Sequence, residues 1–186
     1  MGAGMAGMWR RLWQDRRGVS AIEFAMILPI LAALSIGTIE YGRMILLSQK
    51  LQNGTFILAD LAARDKTLTE EQLGSIFLAL DNIIQPFEFE GVGAAIISGI
   101  EVTTTGRPII NWQRSGANGS GAASEIGGVG AVAVLPEELL FTAGETLIVS
   151  EVFYDFQPIF RVTSPARLHK IAYVKPRLGT LTSIAP

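Results

Sequence analysis

From Phe24 to Ile39 the chain runs sixteen residues, FAMILPILAALSIGTI, without a charge, and a glutamate closes the run at each end, Glu23 and Glu40. A stretch this apolar belongs in a core or in lipid, and it constrains the fold more than any other part of the sequence. As a helix, at ~1.5 Å per residue, it covers about 24 Å. A hydrocarbon layer is roughly 30 Å thick. Val19–Ile22 and Tyr41–Gly42 extend the run and Arg43 can snorkel, so residues 20–42 read as membrane-spanning, with the helix assigned to 19–43. Before it, Arg10, Arg11, Arg16 and Arg17 face a single acid, Asp15. Arginines ahead of the span keep the N-terminus cytoplasmic and send the chain after Arg43 across the membrane. A secretory signal peptide would place a small-residue cleavage site after the apolar stretch. The sequence there, EYGRMILL, has no such site and continues as amphipathic helix.

The whole chain is 186 residues, 49% hydrophobic and 17% charged. That length suits one domain of ordinary size, and the charge content is below the roughly 25% usual for soluble domains. There is no cysteine and one histidine, which excludes disulfide scaffolds, thiol nucleophiles, iron–sulfur clusters and multi-histidine metal sites. A net charge of −2 argues against nucleic-acid binding, which needs clustered Lys and Arg. The charge is unevenly spread. Asp65 to Asp155 holds thirteen acids and three bases, whereas Phe156 to Pro186 holds five bases and no acid. An acidic middle and a basic tail favour pairing within the fold.

Past the span, Met44, Leu47, Leu51, Leu58 and Leu61 recur at three- and four-residue steps between polar residues, the pattern of an amphipathic helix with a weak point at Gly54. Thr67 and Glu70 suggest a capping box, after which Leu73, Ile76, Phe77, Leu80 and Ile84 trace one face of a second helix ending before Pro86. Residues 44–85 are therefore a helical region. Residues 86–186 change to β-branched and aromatic runs between Gly and Pro, with strands expected at Ala95–Thr104, Pro108–Arg114, Thr146–Phe156 and Leu168–Lys175. No long crossover helix separates them, so the expected class is α+β: a spanning helix continuing into an amphipathic one, a second helix, then an antiparallel sheet of about four strands with its apolar face on the helices. Ser115–Ala131, with six glycines in seventeen residues, reads as a mobile connector, and LPEELL after it as at most one helical turn.

Residues that carry chemistry are few. His169 lies beside Arg167 and Lys170 with no serine and carboxylate in a recognised catalytic order. Glu137-Glu138 and Glu88-x-Glu90 are carboxylate pairs of the kind any acidic surface carries, and GGVG at 127–130 lacks the Lys-Ser/Thr of a phosphate loop. Tyr154 and Trp112 read as core or sheet-face residues, and Asn118-Gly-Ser is a formal glycosylation triplet. These residues suggest neither a cofactor nor a metal, and no enzyme activity.

The informative motif precedes the apolar run: Arg17-Gly18-Val19, then Glu23-Phe24, spaced Gly-x-x-x-x-Glu-Phe. It resembles the prepilin-peptidase site of type IV pilin-like proteins, and more closely that of the TadE/TadF-like minor pseudopilins of tight-adherence (Flp-type) pilus systems. The matching stretch is RRGVSAIEFAMILPILAALSIGTIEYGRMILLSQKLQNGTFILADLAAR, residues 16–64, with weaker likeness in GETLIVSEVFYDFQPIF and AYVKPR. A type II secretion pseudopilin usually continues the glycine with Phe-Thr-Leu-type residues, which Val19-Ser20-Ala21-Ile22 does not. The sequence after residue 64 is too short for a von Willebrand-type domain, so the chain looks like TadE or TadF and unlike the longer TadG.

The resemblance implies a pilin-like fold and a basic leader, residues 1–18, that a membrane aspartyl prepilin peptidase removes after Gly18. Val19 becomes the N-terminus and Glu23 its fifth residue. Other implied partners are the major Flp pilin, a second minor pseudopilin, an inner-membrane assembly platform and the lipid bilayer. The implied location is the bacterial inner membrane, single-pass, with a periplasmic C-terminal domain. An intramembrane carboxylate costs ~2.5–3.5 kcal/mol at the bilayer centre, so Glu23 calls for a cationic partner such as the new α-amino group. Rival readings are an uncleaved single-pass scaffold of the same machinery and a membrane-tethered hydrolase.

Overall fold

The computed structural model describes residues 17–65, 67–116, 119–137, 139–140, 142–177 and 183–185. Arg10, Arg11 and Arg16 of the leader, Asn118 of the glycosylation triplet and Glu138 lie outside the described residues.

One continuous helix, α1 (Arg17–Ala62), carries the apolar run and the amphipathic stripe together; it is 46 residues long with Pro29 inside it. At ~1.5 Å per residue that is about 69 Å. Its first half stands free of the other described residues. Its second half buries Leu47, Leu51, Leu58, Ala59 and Ala62 completely. A two-residue strand, β1 (Leu68–Thr69), leads into α2 (Glu70–Ile84). The N-cap of α2 is Thr69, whose hydroxyl accepts from the Gln72 amide while the Gln72 side chain accepts from the Thr69 amide. The capping box is thus two residues later than Thr67 and Glu70, because Leu68 is drawn into the core and β1 uses the backbone before the cap. Leu73, Ile76, Leu80 and Ile84 form the buried face of α2. Gly54 is where the two helices meet: a Cβ there would come within 2.6 Å of Leu80 Cδ1. The low helix propensity of this glycine is offset by close approach.

Four long strands follow, β2 (Gly93–Val102), β3 (Pro108–Gly116), β4 (Thr146–Phe156) and β5 (Ala166–Val174), all antiparallel in the order β3-β2-β4-β5. The four expected strands are present with ends displaced by at most two residues. A last strand, β6 (Ile184–Ala185), pairs in parallel with β1. Alternation along β2 and β4 sorts the side chains. Ala95, Ile97, Ile148, Val152 and Phe156 join the helices in the main core, and Trp112 of β3 lies with them. Gly99 stands opposite Trp112, and a Cβ on it would lie 2.1 Å from the indole nitrogen, so only glycine fits under this ring.

The sheet packs its apolar face on the helices as expected, and its second face is covered as well. Ile100, Ile110, Leu147 and Val149 pack against Ile126 and Ala133, while Ala94, Ile96 and Phe153 pack against Ala122. The segment read as a mobile connector, Ser115–Ala131, supplies most of this lid together with the residues just after it, and backbone bonds hold it: Gly130 N donates to Ile110 O at 2.8 Å and, beyond the segment, Ala133 N to Pro108 O at 2.8 Å. Its glycines shape turns between buried anchors, with positive φ at Gly121, Gly127 and Gly130. Composition alone could not separate a glycine-rich linker from a glycine-rich cover.

Candidate processing and assembly site

Gly18, Val19, Glu23 and Phe24 all lie in the first two turns of α1, and all are exposed. Val19 is 49% and Phe24 60% accessible. Around Gly18 nothing approaches within 4 Å of where a Cβ would stand. Val19 and Glu23 are four residues apart, hence one turn apart on the same helix face, and helical side chains lean toward the N-terminus. A side chain at position 23 of such a helix starts out toward the turn that carries Val19. Glu23 forms no hydrogen bond or ion pair among the described residues.

From Val19 to Ile39 the exposed side chains surround the helix: Ile22, Met26, Ile27, Leu28, Ile30, Leu31 and Leu34 are each about half to three-quarters accessible. A helix apolar on every side has no face suited to water. Gly18–Ala62 has a mean hydropathy of 2.2 over its most apolar window, with none of that window buried, and is long and apolar enough to cross a membrane.

The closing glutamate behaves differently from the opening one. Glu40 is fully buried, and its carboxylate accepts from Ile159 N at 3.0 Å and Phe160 N at 2.8 Å, with Arg43 at 3.8 Å. It ties α1 to the turn between β4 and β5, more than a hundred residues away. The only sequence signal for this role was its place at the end of the apolar run, which reads equally as a simple boundary charge.

A second buried carboxylate, Glu151 on β4, holds the lid. It accepts from the Ser124 hydroxyl and from Glu125 N at 2.9 Å, and lies 3.5 Å from His169 Nε2. The His169 ring stacks on Phe153 with centroids 4.3 Å apart, and its Nδ1 is 3.2 Å from Glu125. Serine, carboxylate and histidine do converge here. The serine hydroxyl donates to the carboxylate, though, and not to the imidazole, so the nucleophile–base contact of a hydrolase is not formed. What the arrangement achieves is attachment of residues 119–134 to the sheet. Sequence reading missed it; a single Glu inside the apolar strand LIVSEVF was the available signal.

Acidic middle and basic tail do pair. Arg167 binds Asp155 through two bonds of 2.6 and 2.8 Å and Lys175 binds Glu145 at 2.8 Å, while Arg177 reaches outside the acidic middle to Asp60 of α1 at 2.7 Å. The Arg167 hydrogen bonds lower the Asp155 pKa, and the Lys175 hydrogen bond, helped by the Thr142 amide, lowers that of Glu145. Burial raises the pKa of Tyr154, which lies in the main core. Trp112 is likewise buried, so both aromatics are core residues. Among the described residues no group of three or more His, Asp or Glu is placed to hold a metal ion.

A long helix, free and apolar at its N-terminal end and packed by its second half against a four-stranded antiparallel sheet, defines a pilin-like α+β protein. Residues 18–60 match the family model described as TadE-like protein. The match contains Gly18, Val19, Glu23, Phe24 and Glu40. No curated protein and no solved structure matches the chain.

Proposed function

We propose that the protein is a minor pseudopilin required for assembly of a tight-adherence (Flp-type) pilus. The TadE-like match at residues 18–60, coinciding with a helix whose first half has no partner among the described residues, carries this reading. The leader is cytoplasmic, α1 crosses the inner membrane and the sheet domain stands in the periplasm. A prepilin peptidase cuts between Gly18 and Val19. The first helical turn must open for this, and glycine lowers that cost by roughly 1 kcal/mol relative to alanine. Its missing side chain also lets the backbone approach the peptidase carboxylates.

Cleavage creates an α-amino group one turn from Glu23, on its own face of the helix. Each charge then lowers the other's desolvation cost at the membrane boundary, either within one chain or between neighbouring subunits. Moving the helix from lipid into a bundle of like helices is nearly neutral in hydrophobic energy, so close packing at Ala25, Ala32, Ala33, Ser35 and Gly37 and the Glu23 pair bias it. The partners are the major Flp pilin, a second minor pseudopilin and the inner-membrane assembly platform. N-terminal sequencing of membrane-extracted protein should read Val-Ser-Ala-Ile-Glu, and Gly18→Arg should retain the leader. An intact leader on most of the protein in cells with active peptidase would identify an uncleaved scaffold instead.

A further inference from the structure

We infer that the turn joining β4 to β5, residues 157–165, is a second membrane contact, seating Ile159, Phe160 and Val162 in the leaflet on the side of the sheet domain. The inference rests on the reading of the first half of α1 as membrane-spanning.

Three apolar side chains are exposed within four residues here: Ile159 at 59%, Phe160 at 50% and Val162 at 50%. Single exposed apolar residues are ordinary on any surface. This cluster differs in its placement. Glu40 binds the amides of Ile159 and Phe160, so the turn is fastened to α1 at the first charged residue past the apolar run. A hydrocarbon layer of roughly 30 Å takes about twenty helical residues, which from Val19 ends near Ile39. The turn therefore lies at the membrane boundary. It continues a surface already facing lipid, with Ile39 at 53% and Tyr41 at 55% accessible on α1.

The turn is also the membrane end of the sheet domain. At the opposite end of β5, Arg177 donates from its backbone to Ala63 O at 3.2 Å and from its side chain to Asp60 at 2.7 Å. From Glu40 to Asp60 the helix rises about 30 Å at ~1.5 Å per residue. The nine residues of β5 cover the same distance at ~3.3 Å per residue. Strand and helix thus run side by side away from the membrane, and the turn is where that course begins.

Chemistry at the turn suits a lipid surface. Arg161, exposed between Phe160 and Val162, has φ of 54°, a left-handed conformation that costs a non-glycine residue roughly 1–2 kcal/mol. It sets a guanidinium among apolar side chains, a pattern that matches phosphate above acyl chains. Sheltering Glu40 is part of the same arrangement. At this depth a bare carboxylate would be costly, and two backbone N–H groups in place of water make it tolerable.

Because the chain has no cysteine, Phe160→Cys, Val162→Cys, Ile30→Cys and Leu140→Cys each carry one nitroxide label. The full-length protein is placed in vesicles of phosphatidylethanolamine and phosphatidylglycerol, and label accessibility to oxygen is compared with accessibility to a water-soluble nickel chelate. Leu140, 87% accessible and five residues ahead of Glu145, whose pair with Lys175 lies at the far end of the sheet, reports water, and Ile30 reports the span. At positions 160 and 162 the oxygen-to-nickel ratio should exceed that at 140 by several-fold and fall short of that at 30. Ratios at both turn positions equal to that at 140, with Ile30 deep, would overturn the membrane contact and leave the span standing. A water-like ratio at Ile30 would overturn both.

Discussion

The two halves of α1 are one helix in two solvents. Leu31 is 48% and Met26 72% accessible, whereas Leu47, Leu51 and Leu58 are fully buried. Both halves are rich in Leu, Ile and Ala, so apolar content does not separate them. Polar residues do. Between Phe24 and Ile39 the polar side chains are the hydroxyls of Ser35 and Thr38, which bond back to Leu31 O and Leu34 O of the same helix and ask nothing of water. Past Glu40, Gln49, Lys50, Gln52, Asn53 and Asp60 interrupt the apolar surface; Leu47, Leu51 and Leu58 make one buried stripe while Ile45, Leu46, Phe56 and Ile57 stay exposed, and such a stripe needs a protein core where an all-round surface needs lipid. The two glutamates follow the same division: Glu23 has an open carboxylate and Glu40 a fully bonded one.

The largest effect should come from the buried half. Leu51→Ala should lower the stability of the outer domain by about 2–5 kcal/mol, read as a fall in the urea midpoint in detergent, whereas Leu31→Ala should leave the midpoint unchanged. Equal losses would erase the distinction between the halves. Next, Glu40→Ala should cost about 1–3 kcal/mol by leaving two amides without their acceptor. It should also speed tryptic cutting after Arg161 in detergent, because the turn loses its tether to α1. Glu23→Gln should change neither readout. Its effect should be on assembly: fewer pili and weaker co-purification with other pilin-like subunits, at matched protein level and with processing intact. If Glu23→Gln assembled at wild-type levels, the pairing with the new α-amino group would be refuted.

The smallest effect concerns acid. Asp155 and Glu145 have pKa values depressed in the folded state, so their contribution is complete above the ordinary carboxylate pKa of about 4 and is lost as pH falls through the depressed values. Both pairs are exposed and screened, so the loss should be slight and confined to pH below about 4. A urea titration across that range should show it, and Asp155→Asn should remove the part due to Arg167.

Much of this architecture was legible because it is written in local periodicity. Leu73, Ile76, Leu80 and Ile84 repeat with the helical period, and the strand Thr146–Phe156 is rich in β-branched and aromatic residues with a defined start and stop. Long-range pairings leave no such trace. The β1–β6 pair joins Leu68 to Ile184 through two residues each, too few for any period to appear. The lid over the second sheet face depends on Glu151, a charge in the middle of a largely apolar strand, and Glu40 depends on amides of the distant residues Ile159 and Phe160. At the candidate processing site the motif is contiguous, so the sequence alone marked Gly18, Val19, Glu23 and Phe24. The role of Glu40 lay in contacts across the fold and stayed hidden.

The side-by-side course of α1 and β5 also has a mechanical meaning. If the membrane end of α1 is pulled along its axis while the outer domain is held, the seam from Leu47 to Ala62 is loaded in shear. Its contacts then resist together, whereas a sideways pull would peel them apart one after another. Glu40, at the end of the seam nearest the applied force, would take up the strain first. A seam of this geometry resists lengthwise tension better than a sideways bend.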